Sequence, residues 1–270
     1  MTFAPIAFEI FGFQIRWYGI IFSLSIIIGF AVVYFIARYR NQKPDETINF
    51  IPFAIIFGIL GARLLHVAVH WTYYFGYFPI GKSLIYILDF RRGGLAIQGV
   101  MMGAILTLLV FCKIRKLNFW LWADILVPGF ILGQAIGKWG NFFNQEAFWK
   151  PTSLPWGIFI NLANRPHDYS IYEYFHPTFL YEAIANFALF ILLMFMHRFY
   201  KNKPGRLPSG LILSMYLGIY AIYRTFIEYY RVDSVYFGPV KVIYIINFIA
   251  LITALVFANH VVKKFKEIKD

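Results

Sequence analysis

Seven apolar runs, near residues 18–37, 50–70, 93–112, 120–136, 178–196, 210–230 and 241–260, govern what this chain can fold into. Each is close to the roughly 20 residues that an α-helix needs to cross the hydrocarbon of a bilayer. Inside hydrocarbon every backbone N–H and C=O must find a partner within the protein, so runs of this length have to be helices. The sequence therefore predicts an all-α, polytopic membrane protein with seven transmembrane helices, a single domain over residues 1–270. Composition agrees, since 60% hydrophobic against 14% charged positions is more apolar surface than one soluble core could bury. Trp17, Tyr18, Trp71, Tyr73, Tyr74, Trp120 and Trp122 stand where apolar runs end, as aromatic belts do at the two membrane faces.

A formal charge of +12 is compatible with nucleic-acid binding in general, but its placement along this chain points to the bilayer. If alternate connections share a compartment, segments 38–49, 113–119, 197–209 and 261–270 lie together. They carry Arg38, Arg40, Lys43, Lys113, Arg115, Lys116, Arg198, Lys201, Lys203, Arg206, Lys263, Lys264, Lys266 and Lys269. The positive-inside rule makes that side cytoplasmic, with the N-terminus outside and the C-terminus inside. The longer connections 71–92 and 137–177 then lie outside, and the second, holding Pro151, Pro155, Pro166 and Pro177, is expected to form a small extracytoplasmic cap. No cationic stretch precedes the first run and no small-residue cleavage site follows it, so no removable leader is expected. Cys112 stands alone and reads as an apolar filler.

Close helix contacts in lipid favour small residues in rows. Gly129, Gly133 and Gly137 recur at every fourth position in span four, with Gly99 and Gly103 in span three and Gly58 and Ala62 in span two. Spans two to four are accordingly expected to form a tight core.

Ionisable groups at membrane depth are the sharpest signal for a site. In span six, GLILSMYLGIYAIYRTFIEYYR, residues Tyr220, Arg224, Glu228 and Arg231 follow at offsets of four, four and three and share one helical face. An arginine at mid-depth costs about 2.5–3.5 kcal/mol on insertion scales, so Arg224 must face a partner or a polar cavity. Arg63 in GILGARLLHV and Glu182 in HPTFLYE make the same demand, and pairing among Arg63, Arg224, Glu182 and Glu228 is the expected solution. Such a network serves equally as structural glue or as the wall of a cavity. Asp124, near the cytoplasmic start of span four, reads as an ordinary interfacial acid. Where span four reaches the outer face, GKWGNFFNQE gathers Lys138, Asn141, Asn144, Gln145 and Glu146, a cation with uncharged amides that suits a phosphate ester whose tails stay in lipid. RRGGL, Arg91 to Leu95, adds two cations at the outer entrance to span three, read either as an anion site or as arginines reaching for headgroups.

GKWGNFFNQE, with RWYG at 16–19, GARLLH at 61–66, GGLAIQG at 93–99, HPTFLYE at 176–182 and YRTFIEYYR at 223–231, resembles the prolipoprotein diacylglyceryl transferase family of bacteria, in the family's order and over nearly the whole chain. The resemblance implies a multi-pass enzyme of the bacterial cell membrane. It would move the diacylglyceryl group of phosphatidylglycerol onto the lipobox cysteine thiol of a prolipoprotein signal peptide, forming a thioether and releasing glycerol 1-phosphate. It implies as partners that lipid, that precursor and the bilayer, with no nucleic acid, and no metal or organic cofactor. Carried onto this chain, it implies Arg224, Asn141, Glu146, Glu228, Tyr18 and Gln98 as catalytic, and Lys138, Asn144, Tyr220, Arg231 and Arg63 as substrate-binding. Arg224 would stabilise the phosphate, Asn141 would orient the headgroup, and Glu146 and Glu228 would hold the cations and the polar network.

Two positions depart from the family pattern: Gln98 stands where the family usually has histidine, and Lys138 where it usually has arginine. Gln98 cannot accept a proton as imidazole does, and Lys138 keeps charge but loses the bidentate fork. Either the positive field of the pocket ionises the thiol without a dedicated base, or the chain is a divergent phospholipid-binding or transport homologue with reduced or no transferase activity.

Overall fold

The computed structural model describes residues 5–76, 79–89, 93–146, 150–201, 208–232, 234 and 236–267. In chain order these form the hairpin β1 (Ile6–Ile10) and β2 (Phe13–Arg16), then α1 (Trp17–Tyr39), α2 (Asp45–Val69), α3 (Trp71–Phe75), α4 (Ile80–Leu88), α5 (Ile97–Arg115) and α6 (Phe119–Asn144). There follow β3 (Ile158–Phe159), two single 3-10 turns at Leu162–Asn164 and His167–Tyr169, β4 (Tyr174–Phe175), α7 (Thr178–Lys201), α8 (Leu211–Tyr229), β5 (Tyr236–Phe237), β6 (Val240–Lys241) and α9 (Val242–Glu267). Each strand pair is a short antiparallel ribbon. The first turns at Phe11 and Gly12, both at positive φ, the backbone that matches the twist of a two-residue hairpin.

Seven of these helices are long and apolar enough to cross a membrane, over Trp17–Tyr39, Asp45–Val69, Gln98–Arg115, Phe119–Asn144, Thr178–Phe199, Leu211–Tyr229 and Val242–Lys263. The seven spans expected from hydropathy are therefore present, with informative shifts at their ends. Span three starts later than residue 93, because Gly93 and Gly94 hold φ of +78° and +77° and cannot belong to a right-handed helix. Span two starts earlier, where Asp45 and Glu46 sit favourably in the first turn and Glu46 takes a forked pair of bonds from Arg115 at 2.6 and 2.9 Å. Span four runs on to Asn144, so Lys138, Asn141 and Asn144 are helical residues at its end.

The chain divides into two compact units, one of residues 1–40 with 123–270 and one of residues 41–122. In the first, α1 meets α6 on glycine: a methyl group at Gly129 would lie 2.3 Å from the carbonyl oxygen of Gly29, and Gly133 faces Ser25. In the second, α2 and α5 approach equally closely, since a methyl at Gly99 would lie 2.2 Å from the Gly61 oxygen and one at Gly103 2.2 Å from that of Phe57. The glycine rows expected to draw spans two to four together are thus used within each unit. The glycines of span four serve span one, those of spans two and three serve each other, and Gly137 has open space where a side chain would go.

Helices α6, α7 and α8 share an apolar layer of Val127, Ile131, Leu189, Leu193, Ile212 and Tyr216. Beneath it Asp124 is fully buried, and its reading as an ordinary interfacial acid is corrected. Its two carboxylate oxygens accept from the backbone N–H of Gly210 at 2.7 Å and of Leu213 at 2.8 Å, capping α8 from another helix. Its own carbonyl accepts from His197 Nε2 at 3.1 Å. Burial pulls the Arg40 guanidinium below its ordinary pKa, and the nearby Asp124 carboxylate acts in the opposite direction. Asp124→Ala leaves two buried N–H groups without acceptors, at about 1–3 kcal/mol each before relaxation. The expected result is a fall of several degrees in the thermal midpoint of the detergent-solubilised protein, with Asp124→Asn, which keeps one acceptor oxygen, falling less.

Candidate active site

Helix α8 carries the centre of the site on its last two turns. Arg224 and Glu228 are 7% and 3% exposed, with Arg224 Nη1 2.7 Å from Glu228 Oε2. The other carboxylate oxygen accepts from Ser234 Oγ at 2.5 Å, and Arg231 Nε lies 3.9 Å from Oε2. Glu228 is thus held by two arginines and a hydroxyl. Just beyond, Lys241 donates from Nζ to the carbonyl oxygens of Glu228 at 2.7 Å and Arg231 at 2.9 Å. A cation at the carbonyl-rich end of a helix is stabilised by the helix dipole and fixes that end.

Helices α6 and α7 bring a second pair. Lys138 Nζ contacts Glu182 Oε2, and Glu182 is 3% exposed. One turn further along α7, the buried Asn186 accepts from the Tyr223 hydroxyl. The Glu182 charge acts on the hydroxyls of Tyr220 and Tyr223, and the Tyr220 hydroxyl bonds the Arg224 guanidinium. Lys138 and Glu182 therefore form one contact pair between α6 and α7, and Tyr220, Arg224, Glu228 and Arg231 a second chain of contacts within electrostatic reach of Glu182.

Two buried arginines of this chain solve the problem of charge in different ways. Arg63 uses all five of its N–H bonds on main-chain carbonyls: Nε on Ile87 at 2.7 Å, Nη1 on Gly93 and Gly94 at 2.6 and 2.9 Å, and Nη2 on Tyr86 and Asp89 at 2.5 and 3.2 Å. It ties the segment before α5 to α2. Where pairing with Glu182 or Glu228 was expected, main-chain carbonyls accept its described hydrogen bonds and their dipoles offset its charge. Arg224 has no such cage. Its Nη1 meets Glu228 without an aligned hydrogen bond, and no main-chain oxygen among the described residues accepts from it.

The stretch GKWGNFFNQE completes one rim of the first unit. Asn141 lies one turn from Lys138 on the same face of α6, and its carbonyl accepts the Glu146 N–H at 3.1 Å. Gln145, at φ +49°, ends the helix. It is buried because its side-chain oxygen accepts from the Asn161 N–H at 3.0 Å and Asn164 Nδ2 at 3.1 Å, which makes it a pin for the following loop. Asn144 Nδ2 donates to the exposed Glu146 at 3.3 Å. Tyr18 lays its ring on Gly140, where a methyl would stand 2.8 Å from Cδ2, and the Glu146 charge acts on its hydroxyl. Beside it Trp17 stacks on Phe143 at 5.2 Å. His176 places Nδ1 3.3 Å from the Tyr181 hydroxyl, and burial lowers its pKa below the ordinary imidazole value.

The first unit thus brings Tyr220, Arg224, Glu228 and Arg231 into one group of contacts, pairs Lys138 with Glu182 within electrostatic reach of Tyr220, and bonds Asn144 to Glu146, whose charge acts on Tyr18; Asn141 lies on the turn of α6 between Lys138 and Asn144. Gln98 lies in the second unit, exposed in the first turn of α5. Arg91 and Arg92 lie outside the described residues. Sequence reasoning missed Ser234, Lys241 and Asn186 as parts of the group. Asn186 was within reach, being a polar residue four positions after Glu182 in an apolar span; Ser234 acts from a loop and Lys241 from the two-residue strand β6, neither of which carries a periodic signal.

The family model of prolipoprotein diacylglyceryl transferase matches residues 5–259. The chain is similar to the phosphatidylglycerol–prolipoprotein diacylglyceryl transferase of a Synechocystis species, with 38% identity over 243 residues, covering 90% of this chain and 84% of that protein. The enzyme of the same name from Acaryochloris marina is 40% identical over 248 residues, 92% of this chain and 86% of the relative. That of a Prochlorococcus marinus strain is 43% identical over 232 residues, 83% and 78% respectively.

Proposed function

The chain belongs to the prolipoprotein diacylglyceryl transferase family, and from that premise we propose that its buried cationic group performs the transfer itself. The protein is a multi-pass protein of the bacterial cell membrane and a phosphatidylglycerol–prolipoprotein diacylglyceryl transferase. The acceptor is the lipobox cysteine of the precursor. Its sulfur attacks the sn-3 glyceryl carbon, the bond from that carbon to the phosphate oxygen breaks, and glycerol 1-phosphate departs with the electron pair. The N-terminus faces outward and the C-terminus the cytoplasm, which puts the Lys138 end of α6 under the outer leaflet headgroups.

The observation that carries this reading is Arg224: a buried guanidinium tethered by one carboxylate and one tyrosine, with donors that no main-chain carbonyl among the described residues takes up. Arg224, Arg231, Lys138 and Lys241 stand against Glu228 and Glu182, a positive balance that suits the negative charge of a phosphodiester. The departing phosphate gains a second negative charge, so preorganised donors bind the transition state more strongly than the ground state. Asn141 orients the glycerol headgroup with a neutral amide. Glu228 holds the two arginines apart, and Glu146 with Asn144 and Tyr18 shapes the rim. Tyr220 fixes the Arg224 fork. Gln98 contributes hydrogen bonds only.

The test is reconstitution in vesicles containing phosphatidylglycerol with a lipobox peptide. Thioether product and glycerol 1-phosphate are expected in equal amounts. Retention of phosphatidylglycerol without release of glycerol 1-phosphate would mark a lipid-binding homologue instead.

A further inference from the structure

With Gln98 in the place of an imidazole, the thiol proton needs a destination, and the carboxylates of the first unit differ sharply in their capacity to receive it. Glu228 is engaged at both oxygens, by Ser234 and by Arg224. Asp124 is engaged at both oxygens by the start of α8. Glu146 is exposed beside Asn144, where water levels any advantage of position. Glu182 alone combines burial with spare capacity among the described residues: Oε2 meets Lys138, and no hydrogen bond reaches Oε1. It also lies within electrostatic reach of Tyr220, the residue that holds Arg224.

We propose that Glu182 is the proton acceptor for the substrate thiol and that Lys138 holds the resulting thiolate. This rests on the transferase reading above. The step balances in atoms and charge: the S–H proton moves to Glu182 Oε1, and the thiolate takes the carboxylate's place as the anion beside the Lys138 ammonium. No net charge enters the low-dielectric interior, which is what makes the transfer feasible there. The thiolate forms the S–C bond to the sn-3 carbon as the C–O bond breaks towards the phosphate. The proton on Glu182 then passes to the departing phosphate, restoring the Lys138–Glu182 pair for the next turnover. Lysine suits this exchange, because its compact ammonium pairs equally with a carboxylate or a thiolate and does not depend on a bidentate partner.

The test compares wild type with Glu182→Gln, using phosphatidylglycerol vesicles and two lipobox peptides, one with cysteine and one with selenocysteine, whose selenol is ionised at neutral pH. General-base assistance is typically worth about 10²–10⁴-fold. The thiol peptide should therefore react at least about 100-fold slower with Glu182→Gln at pH 7. That residual rate should climb about tenfold per pH unit towards the ordinary thiol pKa of about 8.5, while wild type stays flat. The selenol peptide should react with Glu182→Gln at nearly the wild-type rate, which also shows that the variant is folded. Equal losses on both peptides with an unchanged pH profile would overturn the assignment and leave Glu182 as a partner for Lys138 only; so would no loss on either. If Glu182→Gln does not fold, Glu182→Asp decides: a flat profile at reduced rate supports the base, and a profile as steep as solution thiol ionisation overturns it. Failure of wild type on both peptides would instead overturn the transferase reading.

Discussion

Arg224→Ala is expected to lower the rate of thioether formation by about three orders of magnitude or more. Removing one preorganised donor from an oxyanion site costs about 10²–10³-fold, and this residue supplies both a fork of donors and a full charge. The structure also warns how to read the result. Arg224 neutralises Glu228, and cutting one member of a buried pair costs about 3–5 kcal/mol through the charge left behind. Glu228 retains Ser234 and Arg231, which softens the loss. Arg224→Lys separates the two effects: it keeps a cation for Glu228, removes the fork, and should still lose about 100-fold in rate at near-normal thermal stability. Rates measured with saturating phosphatidylglycerol, beside a melting curve for each variant, check both statements.

Lys138→Met is expected to cost nearly as much, for a different reason. It leaves Glu182 buried at 3% exposure without its cation. A buried carboxylate left without its cation is costly. The variant would lose the cation that holds a thiolate and the partner that positions Glu182, and turnover should fall about 10³-fold with a lower melting point. Lys138→Arg should keep the pair and remain within about tenfold of wild type. The double variant Lys138→Met with Glu182→Gln replaces the pair by neutral groups of similar shape, and should regain stability without regaining activity. A double-mutant cycle on melting temperature and rate provides the measurement.

The seven spans and the ionisable groups inside them were legible in the sequence, because bilayer thickness imposes a length on apolar runs and a cost on every charge within them. Tyr220, Arg224, Glu228 and Arg231 were found by helical spacing alone. Which groups meet across helices was not legible. Arg63 and Arg224 look alike as arginines in apolar runs, yet one meets carbonyls of the end of α4 and the segment after it, 23 to 31 residues away, and the other faces side chains. Periodicity carries no information about loop carbonyls. The glycine rows were visible, but a row does not name its partner, and span four turned out to serve span one. Asp124 was read by its position near a membrane face, whereas its role depends on the start of α8, 86 residues later in the chain. Span four was read as ending where polar residues begin; its helix continues to Asn144, with Lys138 on Glu182.

The central claim is that the Arg224 cluster grips the phosphate of one phosphatidylglycerol molecule. Native mass spectrometry of the protein released from vesicles of mixed lipids tests it most directly, comparing wild type with the charge-neutral double variant Arg224→Met, Glu228→Gln, which leaves no unpaired buried ion. Wild type should retain phosphatidylglycerol in preference to zwitterionic lipids, and the double variant should lose that preference while holding its fold. Undiminished selective retention of phosphatidylglycerol by the double variant would contradict the account.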